Sequence, residues 1–121
     1  MHRIAPEDRC LTIVIAAFNE AEALPALQPR IATALSLAEA EGLDARVLYV
    51  DDGSRDGTWD ILLGFAGIDS RVALLRLSRN FGKEAALTAG LDRVERGAAF
   101  ILDADGQDPP ELLPRFVEKW R

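Results

Sequence analysis

Short apolar runs alternate along the chain with apolar stripes that have helical spacing. The runs are rich in aliphatic and β-branched residues, which is typical of strands buried on both faces of a sheet. In the stripes, apolar residues recur three or four positions apart and so form one face of a helix. This pattern predicts strands at 11–17, 46–50, 72–77 and 98–102, helices at about 21–41 and 83–95, and two further helices that begin at 58 and 109.

Strand and helix patterns follow one another in strict alternation, which indicates an α/β fold. Such alternation produces a parallel sheet that helices cover on both faces, with right-handed crossovers. A length of 121 residues allows one domain with a substantial core and not two. Residues 1–10 are polar and predict a flexible N-terminus, so the folded part is expected at 11–121. Because the chain ends inside the last predicted helix, we expect it to be the N-terminal part of a longer protein.

Composition and charge exclude several classes of protein. Hydrophobic residues make up 49% of the chain and charged residues 28%, as in ordinary globular domains. A formal net charge of −6 argues against non-specific nucleic-acid binding, which needs a basic face. The single cysteine, Cys10, cannot form an internal disulfide, which fits a reducing compartment. The longest apolar run, 11–18, is far too short to cross a bilayer.

Polar clusters follow directly after each predicted strand, at 18–20, 51–58, 79–83 and 103–108. The carboxyl ends of parallel strands lie at one edge of a sheet, and open α/β sheets bind their ligands there. So many clusters at one edge are hard to attribute to ordinary loop composition. They outline a ligand cleft, and an acidic chain that binds an anionic substrate there needs a metal ion or a few well-placed cations.

The cluster after the fourth strand carries the clearest chemical signal. Asp103 and Asp105 follow the strand directly, and Pro109 opens the next helix. Oxygens of Asp105 and Gln107 suit Mg²⁺ or Mn²⁺, which can bridge to phosphates, with Asp103 beside a ribose or the metal's water shell. A calcium-binding EF-hand loop needs glycine at its sixth position and glutamate at its twelfth, whereas here Gly106 is fourth and a proline is twelfth. A plain acidic turn remains the alternative.

The other clusters support the same cleft, and each has an ordinary alternative. Asp51 and Asp52 end the second strand, where a carboxylate could accept a hydrogen bond from a nucleobase N–H or could belong to a polar turn. Lys83 at a helix start could place its charge on a phosphate, or be a solvated surface lysine. Glu20 could be a first-turn acid that the helix dipole favours. Neither a phosphate-binding P-loop nor a dinucleotide-binding Gly-x-Gly-x-x-Gly motif is present.

Taken in order, the segments 15–20, 50–58, 79–83 and 103–111 resemble the family-2 inverting glycosyltransferases of the GT-A fold. Within that family the chain is most similar to the polyprenyl-phosphate sugar transferases, the group of dolichol-phosphate mannosyltransferase and its bacterial undecaprenyl-phosphate relatives. The resemblance implies a Rossmann-like parallel-sheet domain. Residues 11–121 would then be the nucleotide-sugar-binding half of that domain.

The resemblance also implies a reaction and its partners. A sugar would pass, with inversion, from a GDP- or UDP-linked sugar to a dolichyl or undecaprenyl phosphate, with Mg²⁺ or Mn²⁺ as cofactor. The lipid acceptor would place the full-length protein in the cytoplasm, at the inner face of the membrane. Assembly into a homo-oligomer is possible, and nucleic acid is not expected as a partner. Because a lipid phosphate is already anionic, it needs little help from a general base.

The same resemblance implies site residues. Asp103 and Asp105 would be catalytic, and Asp105 and Gln107 would hold the metal. Ala16 stands where the family usually has proline and Gly106 where it has an aliphatic residue, but neither change removes a ligand group. The predicted nucleotide-sugar-binding residues, to which the lysine at the helix start is added, are Ala16, Phe18, Glu20, Val50, Asp51, Asp52, Lys83, Asp103, Ala104 and Asp105.

Two other functions stay open at this level. A catalytically incomplete domain would bind nucleotide without turning it over. A nucleotidyltransferase also combines acidic loops, a metal and a nucleotide on an α/β sheet, but it usually has a basic glycine-rich loop after the first strand. Residues 18–21 do not resemble such a loop.

Overall fold

The structure, a computed structural model, describes residues 9–104. Within that range, strands and helices alternate in the predicted order. The predicted fourth helix and most of the predicted flexible N-terminus lie outside the described residues. The elements are β1 (Cys10–Ala17), α1 (Leu24–Ala40), β2 (Asp44–Asp51), α2 (Thr58–Ile68), β3 (Val72–Arg76), α3 (Lys83–Leu91) and β4 (Ala98–Asp103).

The described strands form one parallel sheet in the order β3-β2-β1-β4, which confirms the predicted α/β fold. The first two crossovers carry the chain outward from β1 to β2 and β3, and the third returns it to the other side of β1. This reversal is a topological switch point, where open sheets have a crevice outside the carboxyl ends of their strands. The register places Ala16 of β1 opposite Asp103 on β4 and Val50 on β2, so these strand ends are level.

Different helices cover the two faces of the sheet. On one face α1 and α2 bury the larger core, to which they contribute Leu35 and Leu62. On the other face α3 covers a smaller cluster that contains Val14, Val50 and Ala86. In the part of the chain that the structure describes, no helix is long and apolar enough to cross a lipid bilayer.

Tyr49 on β2 connects three elements inside the larger core, where it is fully buried. Its hydroxyl donates a hydrogen bond to Oε1 of Gln28 on α1, so the polar atom carried into the core has a partner. Its ring is tilted against that of Phe65 on α2, with ring centroids 6.0 Å apart. Burial raises the pKa of Tyr49 above its ordinary value, which keeps the hydroxyl protonated and able to donate.

Two helices have bounds that differ from the prediction. α1 begins later than position 21, with Pro25 in its first turn, where the missing N–H would have had no partner within the helix. Pro29 lies inside α1 without ending it. α3 ends at Leu91 rather than near 95, because tighter backbone bonds between residues three apart replace the α-helical pattern there.

A glycine determines how closely α3 approaches the sheet. A Cβ built on Gly90 would lie 2.7 Å from Cγ1 of Val14 and 2.9 Å from Cγ2 of Val50. Gly64 in α2 is a helical glycine in open surroundings, since no atom lies within 4 Å of a Cβ built there. The two glycines therefore form a matched pair, one packed against the core and one facing open space.

We expect Gly90→Ala to lower the free energy of unfolding by about 1–3 kcal/mol, because the added methyl group overpacks the cluster beneath α3. Gly64→Ala should instead raise it by up to about 1 kcal/mol, since alanine is the better helix former where space is open. Urea denaturation of the two variants measures both changes. Equal effects of the two substitutions would contradict the close packing of α3.

Candidate functional site

A cleft of about 190 Å³ lies at the carboxyl edge of the sheet, at the switch point between β1 and β4. Of the predicted nucleotide-sugar-binding residues that the structure describes, all except Val50 and Asp51 line it. Residues far apart in sequence are thus brought to one place by the parallel strands. Within residues 9–104 the lining consists of Ala16, Ala17, Phe18, Glu20, Asp52, Asn80, Lys83, Asp103 and Ala104.

Two described residues of the predicted set, Val50 and Asp51, lie outside this lining. Val50 is fully buried beneath α3, because alternation along β2 turns its side chain to that face. Asp51 is also fully buried, at the end of β2. Asp105 and Gln107 lie outside the described residues. A contact of Val50 or Asp51 with a nucleobase therefore stays a prediction.

The turn after β1 is fastened to the loop after β2. Asn19 adopts the left-handed conformation, with φ 53°, which asparagine tolerates better than most residues. Its backbone N–H donates to Oγ of Ser54, and its Oδ1 accepts from the N–H of Arg55, both at 2.9 Å. These bonds define the position of the turn, and the Phe18 side chain remains 42% exposed at the cleft.

Asp51 has one carboxylate oxygen with a partner and one without. Oδ1 accepts a hydrogen bond of 3.1 Å from the backbone N–H of Ser54. Oδ2 is buried and, within residues 9–104, accepts no hydrogen bond. Nε of Arg76 lies 4.0 Å from this oxygen. A buried carboxylate oxygen without a donor is costly, so this atom is a candidate acceptor for a ligand N–H.

Asp52, the next residue, is buried at the cleft wall, and both of its carboxylate oxygens accept hydrogen bonds. Oδ1 accepts from the backbone N–H of Phe81 at 2.8 Å. Oδ2 accepts from the backbone N–H of Gly82 and from Nδ2 of Asn80, both at 3.1 Å. The carboxylate is therefore bonded to the loop that leads into α3.

Lys83 and Asp103 face each other across the cleft. Lys83 is the first residue of α3, directly after Gly82, whose φ of 100° is readily adopted only by glycine. The Lys83 ammonium donates a hydrogen bond to Oδ1 of Asp103 at the end of β4. The positive end of α3 adds to the charge of the lysine, so this wall of the cleft suits an anionic group.

One part of the predicted metal site, the end of β4, lies among the described residues. Between residues 9 and 104 no group of three histidine, cysteine or acidic residues could hold a metal ion. Asp103 does bring a carboxylate, the hard oxygen ligand that Mg²⁺ and Mn²⁺ favour, to the edge where the predicted ligands follow. This donor chemistry fits the predicted cation, while Asp105 and Gln107 as its ligands stay a prediction.

A larger groove of about 590 Å³ adjoins the cleft at the ends of β2 and β3. Phe18 and Asn80 line both spaces, and Arg55, Arg76 and Arg79 line the groove. These arginines make the groove locally cationic in a chain of net charge −6. Neither Asn80 nor Arg55 was predicted from its residue type, because asparagine and arginine are common in surface loops.

Two of these arginines lie over aromatic rings. The guanidinium carbon of Arg76 is 5.0 Å from the ring centroid of Trp59, and that of Arg79 is 4.7 Å from the ring centroid of Phe81. Such cation–π contacts favour a defined position for an otherwise flexible side chain. The cationic wall of the groove is thus partly ordered by aromatic neighbours.

The sequence of this chain is similar to those of known glycosyltransferases. The sequence profile of the family described as "Glycosyl transferase family 2" matches residues 12–121. Bactoprenol glucosyl transferase of Shigella phage SfX is 39% identical over 111 residues, which cover 92% of this chain and 35% of the relative. An undecaprenyl-phosphate 4-deoxy-4-formamido-L-arabinose transferase of Pseudomonas fluorescens (strain SBW25) is 40% identical over 111 residues, 91% of this chain and 32% of the relative. The chain thus spans about a third of the length of these relatives.

A solved structure has the same arrangement of strands and helices. The mannosyltransferase PcManGT from Pyrobaculum calidifontis, in complex with GDP-Man and Mn²⁺, superimposes with a TM-score of 0.72 at 22% identity. The match covers 88% of this chain and 31% of that protein, and it confirms the predicted GT-A fold. From the profile match over nearly its whole length, the chain belongs to glycosyl transferase family 2.

Proposed function

We propose that this chain binds a nucleoside-diphosphate sugar and is the donor-binding part of a metal-dependent, inverting glycosyltransferase. The proposed acceptor is a polyprenyl phosphate at the membrane surface. The observation that carries the proposal is the pairing of Lys83 with Asp103 across a cleft at the switch point of the sheet. Two relatives are named as transferases of bactoprenol and of undecaprenyl phosphate, and these names support the choice of acceptor.

The diphosphate would lie beside Lys83. Its ammonium and the N-terminus of α3 both present positive charge to the cleft, which offsets the repulsion between an anion and an acidic chain. In this arrangement the phosphate replaces Asp103 as partner of the lysine, and Asp103 turns to the ribose or to the water shell of the metal. The ion pair would thus keep both side chains at the cleft before the nucleotide binds.

The nucleoside would bind across the junction of the cleft and the cationic groove. The exposed ring of Phe18 lines both spaces and offers an apolar face for a base or ribose. Oδ2 of Asp51, which accepts no hydrogen bond within residues 9–104, would accept a base N–H once the side chain of Arg76 moves aside. Both uracil and guanine carry such an N–H, which is consistent with a UDP- or a GDP-linked donor.

Asp105 and Gln107 would hold Mg²⁺ or Mn²⁺, which as a Lewis acid stabilises the negative charge that develops on the departing diphosphate. PcManGT, which has the same fold, was solved with Mn²⁺ and GDP-Man, and this supports the choice of cofactor. The residues of the described cleft have separate tasks: Lys83 neutralises phosphate charge and Phe18 orients the nucleoside. The acceptor phosphate would then attack the anomeric carbon from the face opposite the diphosphate, which inverts that centre.

The first test is metal-dependent binding by the 121-residue chain. With Mn²⁺, either UDP or GDP at about one hundred times its Kd should stabilise the chain by about 2.7 kcal/mol in thermal unfolding, and without metal the effect should be lost. Asp105→Ala should remove the metal-dependent part. Asp44→Ala, the same change on an exposed acid at the opposite edge of the sheet, should leave it intact. Failure of both nucleotides to bind with Mn²⁺ would overturn the proposed function.

Lys83→Met should weaken UDP or GDP binding by about tenfold, since a charge-assisted contact to phosphate is lost. Binding of the uncharged nucleoside should change little, which provides a control within the same variant. The free energy of unfolding should fall by less than about 1 kcal/mol, because the lysine is 61% exposed in its ion pair. Calorimetric titration with nucleotide and nucleoside separates these outcomes, and equal losses for both ligands would exclude a phosphate contact.

Asp51→Asn should make the unliganded chain more stable by about 1 kcal/mol, because a neutral amide is cheaper to bury than a carboxylate with an unpartnered oxygen. The backbone N–H of Ser54 can still donate to the side-chain carbonyl oxygen of the asparagine. Nucleotide affinity should fall at the same time, since the acceptor for the base N–H is replaced by a donor. Urea denaturation and calorimetry on the same sample measure both effects. A loss of stability together with unchanged affinity would contradict the proposed role.

A further inference from the structure

We propose that Asp52 is a positioning residue that acts on the ligand through the loop 80–82, and thereby places Lys83 opposite Asp103. The inference rests on the proposed function, since it concerns the same cleft. It differs from a direct contact between Asp52 and the nucleotide, because it assigns the carboxylate to a protein partner. It also predicts that the effects of Asp52 and Lys83 on binding are coupled.

The first observation is the number of donors that converge on this carboxylate. Asp52 is 2% exposed, and its two oxygens accept from the backbone N–H groups of Phe81 and Gly82 and from the amide of Asn80. The Asn80 amide also donates to the backbone carbonyl of Asp52 at 3.3 Å. A carboxylate is an acceptor only and therefore matches three N–H donors, whereas an asparagine would turn its own NH₂ group against one of them.

The second observation is that Asp52 is itself fixed to the central strand. Its backbone N–H donates to the carbonyl of Ala17, the last residue of β1, at 2.8 Å. Gly53 then passes so close to the loop after β3 that a Cβ built on it would lie 2.3 Å from the carbonyl carbon of Arg79. Its φ of 71° is a conformation that glycine adopts without strain. The loop is therefore bonded to Asp52, and its first residues pack closely against Gly53.

The third observation connects this loop to the lysine. The backbone N–H of Gly82 donates to Oδ2 of Asp52, and Gly82 is also the N-cap of α3, so Lys83 begins the helix directly after it. Asp103, on the other wall, lies opposite Ala16 of β1 in the strand register. Both partners of the ion pair are thus positioned from the end of β1, one through β4 and the other through Asp52 and the loop.

Asp52→Asn tests this arrangement by two independent measurements on the 121-residue chain. Hydrogen exchange of the Phe81 and Gly82 amides should accelerate by about tenfold or more, because their acceptor is weakened. UDP affinity with Mn²⁺ (or GDP affinity, if the wild type prefers it) should fall by about tenfold. In a Lys83→Met background, the same substitution should cost less than about threefold, since the residue through which it acts is gone.

The outcomes separate the positioning role from its alternatives. Additive losses in the double variant would overturn the inference in favour of a direct contact or a merely structural role, and so would unchanged exchange at Phe81 and Gly82. If wild type binds neither nucleotide, the proposed function fails, while the exchange measurement still decides whether Asp52 holds the loop. Asn80→Ala repeats the test without altering the buried carboxylate, with a smaller expected effect, and replaces Asp52→Asn should that variant not fold.

Discussion

The candidate site depends on how the carboxyl end of β1 is connected to the loops around it. A parallel sheet delivers every following loop to one edge, and the backbone groups of those loops need partners where they are buried. Asp52 meets this need, since its N–H bonds to Ala17 and its carboxylate accepts from Asn80, Phe81 and Gly82. These bonds join groups of the protein to one another, so they define the position of the cleft wall.

Charge in this chain is distributed unevenly, and arginines line one groove at the carboxyl edge of the sheet despite the net charge of −6. The acids at the strand ends are engaged in different ways: Asp52 accepts bonds from the loop and Asp103 pairs with Lys83. Arginines line the adjoining groove, and the N-terminus of α3 points its dipole toward the cleft. The groove at this edge is therefore locally cationic, although the chain as a whole is acidic.

Most of the fold could be predicted from the sequence, because the periods of strands and helices are local properties. All described elements lie where the apolar pattern predicts them, and alternation alone indicates a parallel sheet. The errors lie at helix ends, as at Leu91, where α3 gives way to tighter turns. Those ends depend on packing against the sheet, as at Gly90, and no local period reports such contacts.

The sequence by itself determined which chemical groups follow each strand, and hence that acids, an amide and a lysine gather at one edge. Only the tertiary structure decided what each group does there. Asp51 and Asp52 are neighbours in the chain, yet Asp51 has a buried oxygen that accepts no hydrogen bond from the described residues, whereas Asp52 is bonded to the loop before α3. Val50 turns into the core beneath that helix. The reason is physical: strand register and crossovers bring distant segments together, and they select the partner that each side chain meets.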